Sequence, residues 1–124
     1  MGYESRLYVV RKSDFKDDET GLYWCENIAR INLSKVDACV IDGIAKYGKP
    51  TECYLVHGEV ESNKDCYGDV MTELTVEDMI TILKEAVNNS DYRRYPPALA
   101  MLESFRQGEM YGMWDDLAVL HYGY

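Results

Sequence analysis

The run that most constrains this chain is its last, DLAVLHYGY, residues 116 to 124. Leu117, Val119 and His121 alternate with Ala118, Leu120 and Tyr122, so an extended segment here is largely apolar on both faces. Such a strand needs neighbours on both sides, because a free apolar edge pairs with other chains. The matching run is RLYVV, residues 6 to 10, with Leu7 and Val9 facing one way and Tyr8 and Val10 the other. The two segments are expected side by side in one sheet, with helices over one face. At 124 residues the chain is expected to form a single domain over residues 1–124, large enough to close a core without metals or disulfides.

Between those ends the period of the sequence changes several times. Residues 5–12 read as the first strand, and SDFKDDETG (13–21) reads as a polar loop. LYWCENIARINL (22–33) alternates in part, with Tyr23, Cys25, Ala29, Ile31 and Leu33 on one face and a bulge expected near Asn27. Residues 34–50 switch to helical spacing through Val36, Val40, Ile44 and Tyr47, opened by a Ser34–Asp37 capping box and stopped by Gly48 and Pro50. TECYLVHG (51–58) reads as a third strand, residues 59–69 as an acidic turn region, and VMTEL (70–74) as a short fourth strand in a hairpin with the third.

The clearest helix is 75–89. Thr75 can cap it, Glu77 and Asp78 favour its positive end, and Val76, Met79, Ile80, Leu83 and Val87 form one stripe. A further helix is expected from Pro97 to Gln107, with Gly108 as its stop and Ala98, Met101, Leu102 and Phe105 buried. The expected class is α+β. One antiparallel or mixed sheet of four to five strands holds the first and last strands, and two to three helices pack on one face.

Charge narrows the partners. Twenty-two acids against thirteen Lys and Arg give a net charge of −9, and residues 51–78 hold eight acids and one base. A chain this acidic repels phosphate backbones, so direct nucleic-acid binding is not expected. A basic protein surface, including one that normally holds DNA or RNA, remains a suitable partner. Glu59, Glu61, Asp65 and Asp69 are the candidate contacts, although a solvated surface needs no partner. No apolar run is long enough to span a membrane and no secretory leader is visible, which points to the cytoplasm.

The residues that usually carry chemistry are scattered. Cys25, Cys39, Cys53 and Cys66 form no C-x-x-C pair, so they are expected as reduced, mostly buried thiols, with no metal site and no cofactor. His57 lies in an H-x-E triplet that lacks the cysteine partner of zinc deaminases. His57 and His121 both fall on strand-like runs, where a hydrogen-bonded structural role is the expectation. A small hydrolase or nuclease using either histidine with nearby acids is the competing enzymatic reading, and a homo-oligomeric structural module is a third. DYRRYPP (91–97) stands out because Arg93 and Arg94 lie between Tyr92 and Tyr95 in an acidic protein. Arginine forks and rigid tyrosines are common interface anchors, so Tyr92, Arg93, Arg94 and Tyr95 are candidate binding residues.

GYESRLYVV near the start, LYWCENIARINL, DYRRYPP and the final VLHYGY resemble small proteins encoded by bacteriophages and prophages of Firmicutes. The resemblance implies an accessory protein made inside the bacterial host. Proteins of that kind often inhibit host machinery or immunity, as anti-CRISPR proteins do. It carries no catalytic residues with it. The leading expectation is a non-enzymatic, stoichiometric inhibitor or modulator of a host protein.

Overall fold

A computed structural model describes residues 5–57, 60–65 and 67–123, with the backbone alone at 57, 60 and 61. In chain order the elements are β1 (Ser5–Lys16), β2 (Tyr23–Ser34), α1 (Ala38–Tyr47), β3 (Lys49–Pro50), β4 (Cys53–His57), β5 (Val60–Ser62), β6 (Thr72–Leu74), α2 (Val76–Asn89), α3 (Tyr95–Met110) and β7 (Leu117–Gly123). The strands form one mixed sheet in the order β3-β6-β7-β1-β2-β4-β5. The class is α+β as expected, but the sheet is wider than four or five strands, with six strands of three residues or more and the two-residue β3.

The first and last strands do lie side by side. β1 and β7 pair antiparallel from Ser5 opposite Gly123 to Arg11 opposite Leu117. Leu7, Tyr8, Val9, Val10, Val119 and Leu120 are fully buried, as two-sided strands require. β1 runs four residues beyond its expected end, so the loop to β2 is correspondingly shorter.

β2 carries the expected bulge. Val9 pairs with Ala29 and Val10 with Asn27, which leaves Ile28 as the extra residue. An extra residue inverts the alternation, and this corrects the single face expected for the strand. Ile31 and Leu33 pack with the helices, whereas Cys25 packs on the opposite side of the sheet.

The hairpin expected between residues 51–58 and 70–74 does not form. β4 pairs with β5, inside the segment read as a turn, and β6 pairs with β7 and β3. A three-residue strand does not encode its partner, and here β7, buried from Ala118 to Tyr122, takes β6.

This order forces the sheet to curl. β3 and β4 are five strand spacings apart, about 24 Å in a flat sheet. Only Thr51 and Glu52 join them, and three steps of extended chain reach about 10 Å. The two ends must therefore approach one another, and the sheet encloses Tyr8, Val10, Cys53, Leu55, Met71, Ala118, Leu120 and Tyr122.

The helices cover the outer face. α2 starts where expected, with Thr75 Oγ1 accepting a bond from the Asp78 N–H, and buries Val76, Met79, Ile80 and Leu83. α1 begins later than expected. Ser34 takes a positive φ of 63°, and the Asp37 carboxylate bonds the Tyr95 hydroxyl instead of capping the helix. α3 runs through Gly108, which was expected to stop it. The Trp114 ring packs against that glycine, and a Cβ there would lie 2.6 Å from Trp114 Cδ1. Met101, expected in the core, is instead 43% exposed.

Candidate functional site

The tyrosine–arginine segment divides into scaffold and surface. The Tyr92 hydroxyl donates to the Leu33 carbonyl at 2.6 Å. The Tyr95 hydroxyl donates to Asp37 Oδ2 at 2.9 Å and accepts from the Asp37 N–H at 2.8 Å. Burial pushes the Tyr95 hydroxyl up to about 12, so it remains a neutral donor at any ordinary pH. The two rings meet edge to face, and Tyr95 is fully buried. Both tyrosines therefore pin β2 and α1 to α3. Arg94 is part-buried and gives one guanidinium N–H to the Asn32 carbonyl at 3.1 Å. Arg93 is exposed. The two arginines border a groove of about 390 Å³ whose other walls are Ile31, Asn32, Pro97, Ala98 and Met101.

The described acids of the acidic segment differ in their surroundings. Asp65 spends Oδ1 on the N–H groups of Tyr67 and Asp69, closing a turn in which Gly68 has a positive φ of 83°. Asp69 is exposed. Glu59 and the side chain of Glu61 lie outside the described residues, as do Cys66, Tyr124 and the side chain of His57. Glu73 points into the curl and is nearly buried.

Among the described residues, Glu73 is the centre of the most developed polar cluster. Oε2 receives Lys12 Nζ at 3.0 Å, with Lys49 Nζ at 3.8 Å, and Oε1 receives the Thr51 hydroxyl at 2.9 Å and the Cys53 thiol at 3.4 Å. Burial alone would raise the carboxyl, but Lys12 and Thr51 outweigh it and hold the group below its ordinary value. Cys25 lies beside Cys53 and donates to the Tyr54 carbonyl at 3.0 Å. The neighbouring Cys53 sulfur and burial raise its pKa, so it stays a thiol. Thr51 sits in the link between the two ends of the sheet, so these bonds fasten the curl. Cys25, Cys39 and Cys53 are free thiols. Among the described residues no three metal-ligating side chains gather.

His121 shows what the enzymatic alternative would have to use. Its Nε2 lies 2.7 Å from Ser5 Oγ, and the Asp65 charge acts on the ring. Burial lowers the imidazole to about 4, so it is neutral at pH 7. Ser5, however, is fully buried and His121 is 6% exposed, in register between Leu7 and Thr72. A substrate reaching Ser5 would first have to part these strands. The pair, as placed, joins the ends of β1 and β7.

The sequence reading missed an exposed apolar end. Met110, Tyr111 and Met113 are 77%, 76% and 75% exposed in the connection from α3 to β7, and Phe15, near the end of β1, is 78% exposed. The connection returns beside β1, where the Lys12 N–H bonds the Asp116 carbonyl and Arg11 pairs with Asp115 at 2.9 Å. Both apolar groups therefore project from the same end of the sheet. Exposed Asp14, Asp18, Glu19 and Asp116 share that end. The signal was the cluster EMYGM after an amphipathic helix, together with a phenylalanine inside an otherwise polar loop.

Among the described residues no helix is long and apolar enough to cross a membrane. Comparison with models of known families, with curated proteins and with solved structures finds no match for this chain.

Proposed function

We propose that this protein acts by stoichiometric contact with another protein, as an inhibitor or modulator of a host protein with a basic surface. The observation that carries this reading is that Phe15, Met110, Tyr111 and Met113 are each 75% or more exposed toward one end of the sheet, where Asp14, Asp18, Glu19 and Asp116 are exposed as well. Large apolar side chains left in water at one end of a molecule favour a contact surface there, and tyrosine and methionine are enriched in the centres of interfaces. The exposed acids at that end and the net charge of −9 favour a basic partner and would steer its approach. The resemblance to phage proteins adds the proposal that the partner belongs to the bacterial host.

The test is affinity capture from host lysate with the wild-type chain beside a Met110→Ser, Tyr111→Ser, Met113→Ser variant. A partner recovered at a fixed ratio by the wild type and bound at least about tenfold more weakly by the variant is the expected result. Equal recovery by both proteins would overturn the apolar end as the contact. Absence of any stoichiometric partner, with turnover of an ester or nucleic acid by the pure protein, would overturn the binding reading itself.

A further inference from the structure

A second surface, away from that end, follows from an unfinished sheet edge. β2 is paired along its length with β1, but on its other side β4 joins it only at Tyr23 and Trp24. Past Trp24, no described strand lies along the outer edge of β2. The Asn32 carbonyl points outward, to Arg94. In an antiparallel ladder the outward-pointing residues alternate. Arg30, two residues earlier and opposite Tyr8, therefore presents its N–H and C=O to the same side. Among the described residues, the Asn32 N–H and both Arg30 groups have no other partner.

Beside this edge lies the groove of about 390 Å³ between β2 and α3. Ile31, Pro97, Ala98 and Met101 make it apolar, Arg93 and Arg94 stand on it, and no acidic residue lines it. Arg93 is exposed and has no ion pair among the described residues. In a chain of net charge −9, a groove bordered by two arginines and no acid has its own sign.

We propose that the outer edge of β2 takes an extended segment of a partner protein as an added strand, with an apolar side chain in the groove and a carboxylate on Arg93 and Arg94. Unpaired groups at every second residue match an incoming strand, which supplies the complementary N–H and C=O at the same spacing. Alternation sends successive side chains to opposite faces, so one reaches the groove while its neighbours do not. The guanidinium groups then select acidic segments, since arginine binds carboxylate through two parallel bonds. A second copy of this chain is the poorer occupant, because it brings the same net negative charge.

The test begins with a random octapeptide display library panned on the whole protein. Enriched peptides are expected to carry an Asp or Glu near an aliphatic or aromatic residue. Bound to the wild type, they should slow amide exchange at Arg30 and Asn32 at least tenfold. Arg93→Glu should weaken them at least tenfold. Arg30→Pro, which removes an outward N–H at an edge position where proline is tolerated, should do the same with an unchanged melting temperature. If that variant does not fold, the exchange measurement on the wild type decides. The proposal is overturned if nothing acidic is enriched, if enriched peptides bind Arg93→Glu equally well, or if the two amides are not slowed. Protection that rises with protein concentration in the absence of peptide would assign the edge to a second copy instead.

Discussion

The two faces of the sheet are covered in different ways. On the outer face, Leu7, Val9, Ile31, Leu33 and Val119 meet α2 and α3 in an apolar cluster whose polar atoms are the paired hydroxyls of Tyr92 and Tyr95. On the inner face the sheet covers itself, and Tyr8, Val10, Leu55, Met71 and Leu120 share their space with Glu73 and Thr51. A helix has already satisfied its own backbone, so it needs only an apolar stripe in order to dock. A sheet that closes on itself brings strand ends together and encloses polar groups with them. Each of those groups must then find a partner, because an unpaired one costs about 1–3 kcal/mol. One Thr, one Cys and two Lys meet that requirement for the Glu73 carboxylate, whereas the buried Asn27 Oδ1, opposite Val10, is left without a partner among the described residues.

The largest expected effect removes what the two faces share. Deleting Val119 to Tyr124 takes away most of β7, and no cooperative thermal transition should remain in circular dichroism. A cooperative melt of the truncated chain would show that one face suffices.

Single cavities then separate the faces. Leu83 in α2 and Leu55 in β4 are both fully buried. Leu83→Ala should cost roughly 3–5 kcal/mol in urea unfolding, and Leu55→Ala roughly 2–3, because a cavity costs less where its walls can close in. β4 touches β2 through only two register pairs and is the freer wall. Equal costs would mean that the curl is as rigid as the helical layer.

A smaller effect reads the seam between β1 and β7 through pH. The His121 imidazole is lowered by burial to about 4, so between pH 6.5 and 4 the unfolded chain takes up a proton that the folded one refuses. Stability should fall by about 1.5 kcal/mol between pH 6.5 and 5. His121→Gln keeps a partner for Ser5 and should flatten that slope. A slope unchanged in the variant would place the titrating group elsewhere.

The smallest effect tests the polar seam. Lys12→Met leaves Glu73 with the more distant Lys49, at 3.8 Å. Since Lys12 is partly exposed, the loss at pH 7 should be about 1 kcal/mol. Glu73 is held below its ordinary value in the folded state, so its contribution is lost as pH falls through that lowered value. Without Lys12 the folded-state value moves back toward the unfolded one, so the variant should lose less stability than the wild type as pH falls through that range.

These differences also explain what the sequence could disclose. Helix α2 was legible to within one residue, and the meeting of β1 with β7 was legible from matched two-sided runs, because burial against a neighbour leaves a periodic trace. The bulge at Asn27 and Ile28 left a trace as well, although its consequence for Cys25 did not follow from an interrupted alternation. The partner of β6 left none. Three residues, Thr72 to Leu74, suit any sheet edge, and only the short link through Thr51 and Glu52 decides which edges can meet. The candidate sites divide in the same way. Tyr92 and Tyr95 looked like contacts because their hydroxyls' partners, Leu33 and Asp37, lie 59 and 58 residues away. Met110, Tyr111 and Met113 drew no notice because exposure has no period.

The place of β7 between β6 and β1 has a consequence for the order of events at the ribosome. Until residues 117–123 emerge, the sheet exists as two unconnected pieces, β6 with β3 and β1 with its followers, each with an open edge. β1 can form its hairpin with β2 early, yet the side that β7 will occupy stays open for about a hundred residues of synthesis. At about 5–20 residues per second, that is a wait of roughly 5–20 s with an apolar strand edge uncovered. A nascent chain in that condition is a natural client for chaperones that hold extended apolar segments, and the final strand, on arrival, is what releases it.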